Sequence, residues 1–182
     1  TTDRSLTQLT NDNYSDENPV WSPDGKYIVF SSDRTSFGRD GFSNLFLYDL
    51  ETRQIRYLTF GRAHDRTPRF SRYGDKVIFS SDRILGNDSL PTFNLYEVDF
   101  SGNGCRLTDY VGGAFEPGFV NDSTAIFTGY EDRNYHIYSQ RIKCSSSATD
   151  SISLPQELSA HSAWVWFSDT QSQLLSDAPS TS

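Results

Sequence analysis

The chain has 182 residues, the size of one domain or of a piece of a larger one. Its formal net charge is -8 and it has no run of Lys and Arg, which excludes a phosphate-neutralising nucleic-acid binder and a protein held on anionic membranes. No apolar stretch approaches the roughly 20 residues of a membrane span, so no membrane insertion is expected; 13 Phe and 10 Tyr are too many for a disordered chain.

Taken in chain order, residues 1–10 (TTDRSLTQLT) end in Leu9-Thr10 and read as the last strand of an incomplete unit. The first full unit, residues 11–59, predicts strands over 19–22, 27–32, 44–50 and 55–59, from runs of Val, Ile, Phe, Tyr and Leu bounded by turn formers. Pro23-Asp24-Gly25 sets the tight turn between the first two. Residues 60–108 and 109–159 repeat the pattern, with Tyr73-Gly74-Asp75 and Asn121-Asp122-Ser123 at the equivalent turn. Residues 143–153 (KCSSSATDSIS) read as a long surface loop. Residues 163–176 read as the first two strands of a further unit, and 177–182 as a disordered tail. Helical periodicity is absent throughout, so almost no helix is expected.

The repeat rests on landmarks. Leu9-Thr10, Leu58-Thr59 and Leu107-Thr108 recur every 49 residues, as do Pro19, Pro68 and Pro117. A four-stranded antiparallel unit of this length, repeated, is a β-propeller blade. One sheet cannot bury both faces alone. Trp21, Phe30, Phe46, Phe70, Phe79, Phe119 and Phe127 are therefore expected between stacked blades. The fold class is all-β: a propeller, or a fragment of one, over residues 1–176. Three full repeats and a partial blade at each end leave three arrangements open: a fragment of a larger ring, a closed four-blade ring, or self-assembly of copies into a larger ring.

WSPDGKYIVFSSDR (from Trp21) followed by NLFLYDLETRQIRYLT (from Asn44) resembles the TolB-type WD-like propeller repeat. The second copy departs at the turn, with FSRYGD for WSPDG, and the third departs further, with FVNDST. The resemblance covers residues 5–160. It implies a non-enzymatic module that binds a protein partner in the periplasm or outside the cell.

Other features fit an exported chain. Lys is confined to Lys26, Lys76 and Lys143, and the absence of Met makes Thr1 read as a processed or excised start. Cys105 and Cys144 either pair in an oxidising compartment or stay as thiols. Three N-x-S/T sequons, at Asn13, Asn87 and Asn121, are about the number chance supplies.

No motif assigns a reaction. G-x-S-x-G, H-E-x-x-H, C-x-x-C and a glycine-rich phosphate loop are all missing, so no catalytic residue, metal or cofactor is assigned. Asp33-Arg34, Asp82-Arg83 and Asp132-Arg133 recur after the second strand and are expected to tie adjacent blades. Asp16 and Asp65 read as turn or capping residues.

Function is sought where the copies differ. The loops 34–43 and 83–93, and the blade-to-blade loops 11–17, 61–66 and 109–115, are expected on one face. They bring Tyr14, Phe37, Phe42, His64, Phe93, Tyr110 and Phe115 together with Asp40, Asp65, Asp88 and Glu116 as a binding surface. Aromatics among acids suit a protein or peptide partner, and sugar stacking is the second class. The competing reading is a propeller that accompanies an enzyme, as a gate to a prolyl-oligopeptidase-type peptidase or as a lyase-like propeller acting on oligosaccharides.

Overall fold

In a computed structural model of the chain, residues 5–86, 88–144 and 150–159 are described. In chain order the strands are β1 (Asp16–Trp21), β2 (Tyr27–Ser32), β3 (Asn44–Asp49), β4 (Ile55–Tyr57), β5 (Asp65–Phe70), β6 (Lys76–Ser81), β7 (Asn94–Asp99), β8 (Gly104–Arg106), β9 (Ala114–Asn121), β10 (Thr124–Glu131), β11 (Asn134–Arg141) and β12 (Ser151–Ile152). A 3-10 turn over Gly38–Asp40 and a single helical turn, α1 (Gln156–Ser159), complete the described secondary structure. The strands form antiparallel sheets ordered β1-β2-β3-β4, β12-β8-β7-β6-β5 and β11-β10-β9.

The first two blades begin with the same hairpin chemistry. In the first, the Ser22 hydroxyl donates to Asp24 Oδ1 (2.6 Å) and accepts the Tyr27 N–H (2.9 Å), while Gly25 takes the left-handed φ of 72° that the turn requires. In the second, Ser71 and Asp75 repeat the bond at 2.6 Å, with Gly74 at φ 75°. Along the first strand, Asn18, Thr67 and Glu116 each precede the repeated proline with a positive φ of 52°, 49° and 51°. The β1–β2, β5–β6 and β9–β10 registers all shift around these residues, so the three blades share a bulge at the same place, and β9–β10 shifts a second time between Thr124 and Ala125.

Sheets stack through alternating faces. Val29, Leu45 and Leu47 of the first blade meet Val77, Phe79, Tyr96 and Val98 of the second. Ile78 and Leu95 of the second meet Ala114, Ala125 and Phe127 of the third, with Phe119 packed alongside. The ring in the second strand (Phe30, Phe79, Phe127) thus faces backward, and the aliphatic residue before it (Val29, Ile78) faces forward. Trp21 does not join this core: it is 60% exposed at the end of β1, because the alternation of the strand points it to solvent.

The third repeat also departs from the four-strand expectation. Its sheet has three strands among the described residues, and the chain leaving β11 returns to the second blade, where Ser151 and Ile152 pair with Cys105 and Gly104 on β8. Three further contacts hold this strap. Cys105 and Cys144 form a disulfide, Arg106 reaches Asp150 at 2.7 Å, and Leu154 packs so tightly on Gly102 that no Cβ would fit there. Residues 5–10 lie in no strand. The stretch 163–176 and the tail 177–182 fall outside the described residues.

The disulfide closes a loop with a sequence separation of 39. Cys105→Ser with Cys144→Ser is expected to lower unfolding stability by about 3–4 kcal/mol, measured by denaturant melts against the oxidised parent. Burial pushes the Tyr96 phenol from 10.0 up to about 12. Its folded pKa is raised, so its stabilising contribution is whole below about pH 10 and is lost as pH climbs from there to about 12. Tyr96→Phe should flatten that alkaline loss in melts taken across this range.

Candidate functional site

The repeated Asp-Arg dipeptide positions the loops. Arg34 donates to both carboxylate oxygens of Asp16 (2.6 and 2.7 Å) and to Asp12 (2.9 Å); Arg83 donates to both oxygens of Asp65 (2.7 Å each). The preceding aspartates, Asp33 and Asp82, accept the N–H of Ser15 (2.9 Å) and His64 (2.7 Å). Each pair therefore fastens the end of the second strand to the start of the first strand of its own blade, not to the adjacent blade as expected. The third copy does neither: Asp132 and Arg133, both at positive φ (50° and 66°), form the turn between β10 and β11.

The link between blades is made by the carboxylate of Asp65. It is fully buried, and it accepts from Asn44 Nδ2 (3.0 Å) and from the Thr59 hydroxyl (2.5 Å) of the first blade, as well as from Arg83. Thr59 Oγ1 also accepts the Leu45 N–H at 2.8 Å. Between the second and third blades Ala114 stands in place of Asp65, and Thr108 donates instead to Asn94 Oδ1 (2.8 Å). Ser31 and Ser80 complete both junctions by donating to the main-chain carbonyls of Asp65 (2.8 Å) and Ala114 (2.6 Å).

Two groups of the sequence-predicted residues meet at these junctions. Over the first, Phe42 packs on His64 (5.1 Å between ring centroids), Phe37 packs on Phe60 (5.2 Å), and Arg62 lies over both Phe37 and Phe42 while pairing with Asp40 (3.0 Å). His64 Nδ1 lies 2.7 Å from Asp82 Oδ2, which fixes the ring. The main chain secures the arrangement: Ser43 N–H donates to Ala63 (3.2 Å) and Asp65 N–H to Ser43 (2.8 Å).

Over the second junction, Phe93 packs on Phe115 (5.3 Å), and Tyr135 reaches Phe115 from β11 (6.2 Å). With Arg66, Thr67 and Glu116 they line a cleft of about 460 Å³. The cleft opens where a link between blades fails. Asn18 Oδ1 accepts the Thr67 N–H at 3.3 Å across the first junction, but Thr67 is too short to repeat this toward Glu116, and its hydroxyl is buried with no hydrogen-bond partner among the described residues.

The remaining predicted residues lie elsewhere. Tyr14 stacks on the Arg34 guanidinium (5.5 Å) beside the first blade. Asp65 is sealed in the junction just described. Asp88 holds Arg106 on β8 through two bonds of 2.9 Å. Burial would lower the Arg106 pKa, but the bonds to Asp88 and Asp150 outweigh it and raise it. The Tyr110 hydroxyl donates to Glu131 (3.0 Å), and its ring packs on Phe127 and Tyr138, toward the second blade. Arg62, Arg66 and Tyr135 belong to the two surface groups without a sequence signal that marks them, since the loop pattern stands out by its acids and rings and Tyr135 comes from a strand; Asp82, read as a tie between blades, holds His64 instead.

No protein-family model matches the sequence, and no curated protein matches it. Among solved structures, the fold is similar to TolB from Acinetobacter baumannii (TM-score 0.51, 23% identity over 72% of this chain and 33% of that one). It is similar to the protein designated TolB from Agrobacterium tumefaciens (TM-score 0.55, 18% identity, 81% of this chain and 61% of that one). A further match is Kuenenia stuttgartiensis hydrazine synthase (TM-score 0.59, 16% identity, 81% of this chain and 28% of that one). The fold is that of a TolB-type β-propeller. The chain spans less than two thirds of the length of each of these structures. Among the described residues, no helix is long and apolar enough to cross a membrane.

Asp65→Asn removes the buried charge that balances the partly buried Arg83 while keeping the side-chain shape. It should cost about 3–5 kcal/mol of unfolding free energy in a denaturant melt, against at most about 1 kcal/mol for the exposed Asp40→Asn.

Proposed function

We propose that this chain is a non-enzymatic interaction module that holds a protein or peptide partner through the loops at its blade junctions. The observation that carries the reading is the pair of aromatic groups at successive junctions, Phe37/Phe42 with Arg62 and Phe93/Phe115 with Arg66. Arg66 lies over the Phe93 ring at 5.9 Å, as Arg62 lies over Phe42. Half-buried rings flanked by Arg and carboxylates are the composition of binding hot spots. A site of 460 Å³ with a buried, unpartnered hydroxyl is suited to an inserted side chain carrying a polar group. The similarity to TolB structures supports the same reading through the fold alone. The Cys105–Cys144 disulfide supports a periplasmic or extracellular setting, where such bonds persist.

A second reading is favoured by one observation. The Asp82 carboxylate orients His64 as it would a catalytic imidazole, which suits a propeller that works beside an enzyme. The His64 main-chain N–H is held by the same aspartate, in the place of Ser15 on Asp33, so backbone fastening accounts for Asp82 without any reaction. The interaction reading is therefore preferred.

Capture from envelope and secreted extracts tests it. Phe42→Ala with Phe93→Ala is expected to weaken partner binding by about 2 kcal/mol or more, roughly thirtyfold in Kd, with the fold retained by circular dichroism. Equal capture by parent and double variant would remove this face from consideration.

A further inference from the structure

The third blade lacks a fourth strand among the described residues, while the chain carries a segment of fourth-strand sequence that is paired in no sheet. In the first two blades the fourth strand leads into Leu-Thr, and both residues bind the third strand at one point. Leu58 N–H donates to the Leu45 carbonyl (2.9 Å) and Thr59 Oγ1 accepts the Leu45 N–H (2.8 Å). Leu107 N–H donates to the Leu95 carbonyl (2.7 Å) and Thr108 Oγ1 accepts the Leu95 N–H (2.9 Å). Leu45 and Leu95 stand opposite Ser31 and Ser80; at the same register, opposite Thr128, stands Ile137.

Strand β11 pairs only with β10 among the described residues, so the outward N–H and C=O of Ile137 have no partner there. The edge is eight residues long, without proline or bulge, and its one Arg lies at the end, whereas β4 and β8 have three residues and β8 is covered by β12. Native edges are blunted by such devices, and this one is not. The face beside it is equally open. Val29 and Ile78 are completely buried against the next blade, but Ile126, their counterpart, is 41% exposed and Ile137 is 79% exposed.

The complementary segment lies at the other end of the stack. Leu9-Thr10 precedes Leu58-Thr59 by the same 49 residues that separate the later pairs. Residues 6–10 belong to no strand, Leu6 is 98% exposed, and Leu9 and Thr10 line a cleft of about 280 Å³ with Ile28, Phe30 and Tyr48 on the first blade. The second blade stands between this segment and β11.

We propose that residues 6–10 of one copy add antiparallel to β11 of a second copy as the fourth strand of its third blade. Leu9 N–H donates to the Ile137 carbonyl, and Thr10 Oγ1 accepts the Ile137 N–H, reproducing the bonds of Leu58-Thr59 and Leu107-Thr108. Each copy carries one donor segment and one acceptor edge, so a reciprocal exchange pairs two copies as a dimer through two added strands. On the donor copy, Phe30 and Phe46 of the first blade are already buried, with Leu154 and Leu158 packed against their cluster, so the added strand itself makes the contact between copies.

Sedimentation velocity of the full 182-residue chain, from about 1 to 100 µM, should give a dimer. Leu9→Asp disables the donor. Ile137→Pro disables the acceptor while removing only an outward N–H, which an edge strand tolerates. Each variant alone should lose association by at least about tenfold, with an unchanged circular-dichroism spectrum, and an equimolar mixture of the two should recover a one-to-one dimer. A synthetic peptide of residues 5–11, in excess, should dissociate the parent dimer, so the test does not depend on how either variant folds. A parent that is monomeric across the range, a dimer indifferent to both substitutions and to the peptide, or a mixture that stays monomeric would overturn the proposal.

Discussion

A four-stranded sheet with apolar residues on both faces cannot persist alone, and every other feature of this molecule follows from how it finds neighbours. Burial of the second-strand rings is the driving term. Phe79 lies backward on Val29 and Leu45, Phe127 backward on Ile78 and Leu95, and the aliphatic residues between them are completely buried. Full burial of one such side chain is worth about 1.5–3 kcal/mol. A few residues per junction therefore hold the sheets face to face, and their alternation along the strand sets which face looks forward.

Polar links fix the register that apolar contact leaves loose. The hydroxyls of Ser31 and Ser80 reach the main chain of the next blade in the same way, and Asp65 gathers Arg83, Asn44 and Thr59 into one buried network. An unpaired carboxylate there would be costly, so the network is an all-or-none device. Where Ala114 replaces the aspartate, the second junction keeps only its hydroxyl and amide bonds. That is also where the Thr67 hydroxyl has no hydrogen-bond partner among the described residues and the cleft opens. A departure from the repeat thus weakens a structural link and creates a cavity in the same place, which is how one copy of a repeated unit acquires a site that the others lack.

The strap formed by residues 150–158 has a related logic. It covers the β8 edge of the second blade through two strand residues, a disulfide and an Arg–Asp pair, and so protects one exposed edge. The same route carries the chain away from β11. Protection of one edge and exposure of another are consequences of a single crossing, and the aromatic face near Tyr135 lies next to the edge left open.

The hairpins and strands of the first two blades, and the first two strands of the third, were legible in the sequence. Strand periodicity, the Pro-Asp-Gly turn and the 49-residue interval of Leu-Thr and Pro are local signals, because side-chain alternation and turn conformation depend on near neighbours; β2 (Tyr27–Ser32) was legible to the residue. The aromatic pairs Phe37/Phe42 and Phe93/Phe115 were legible in part, as large rings in loops that turn chemistry alone does not require. Tertiary structure alone decided the rest. Asp33-Arg34 and Asp82-Arg83 gave no sign that they close their own blades, because a salt bridge depends on where a partner 18 residues away is carried by the fold. Asp65 reads as a turn residue and is the buried centre of a junction. Cys105 and Cys144 read equally as thiols or as a pair until β8 and the chain after β11 lie side by side. The path of the chain beyond Arg141 was set by which edge offered unpaired backbone and a packing surface for Ile152 and Leu154, a competition between distant sheets that no local pattern encodes.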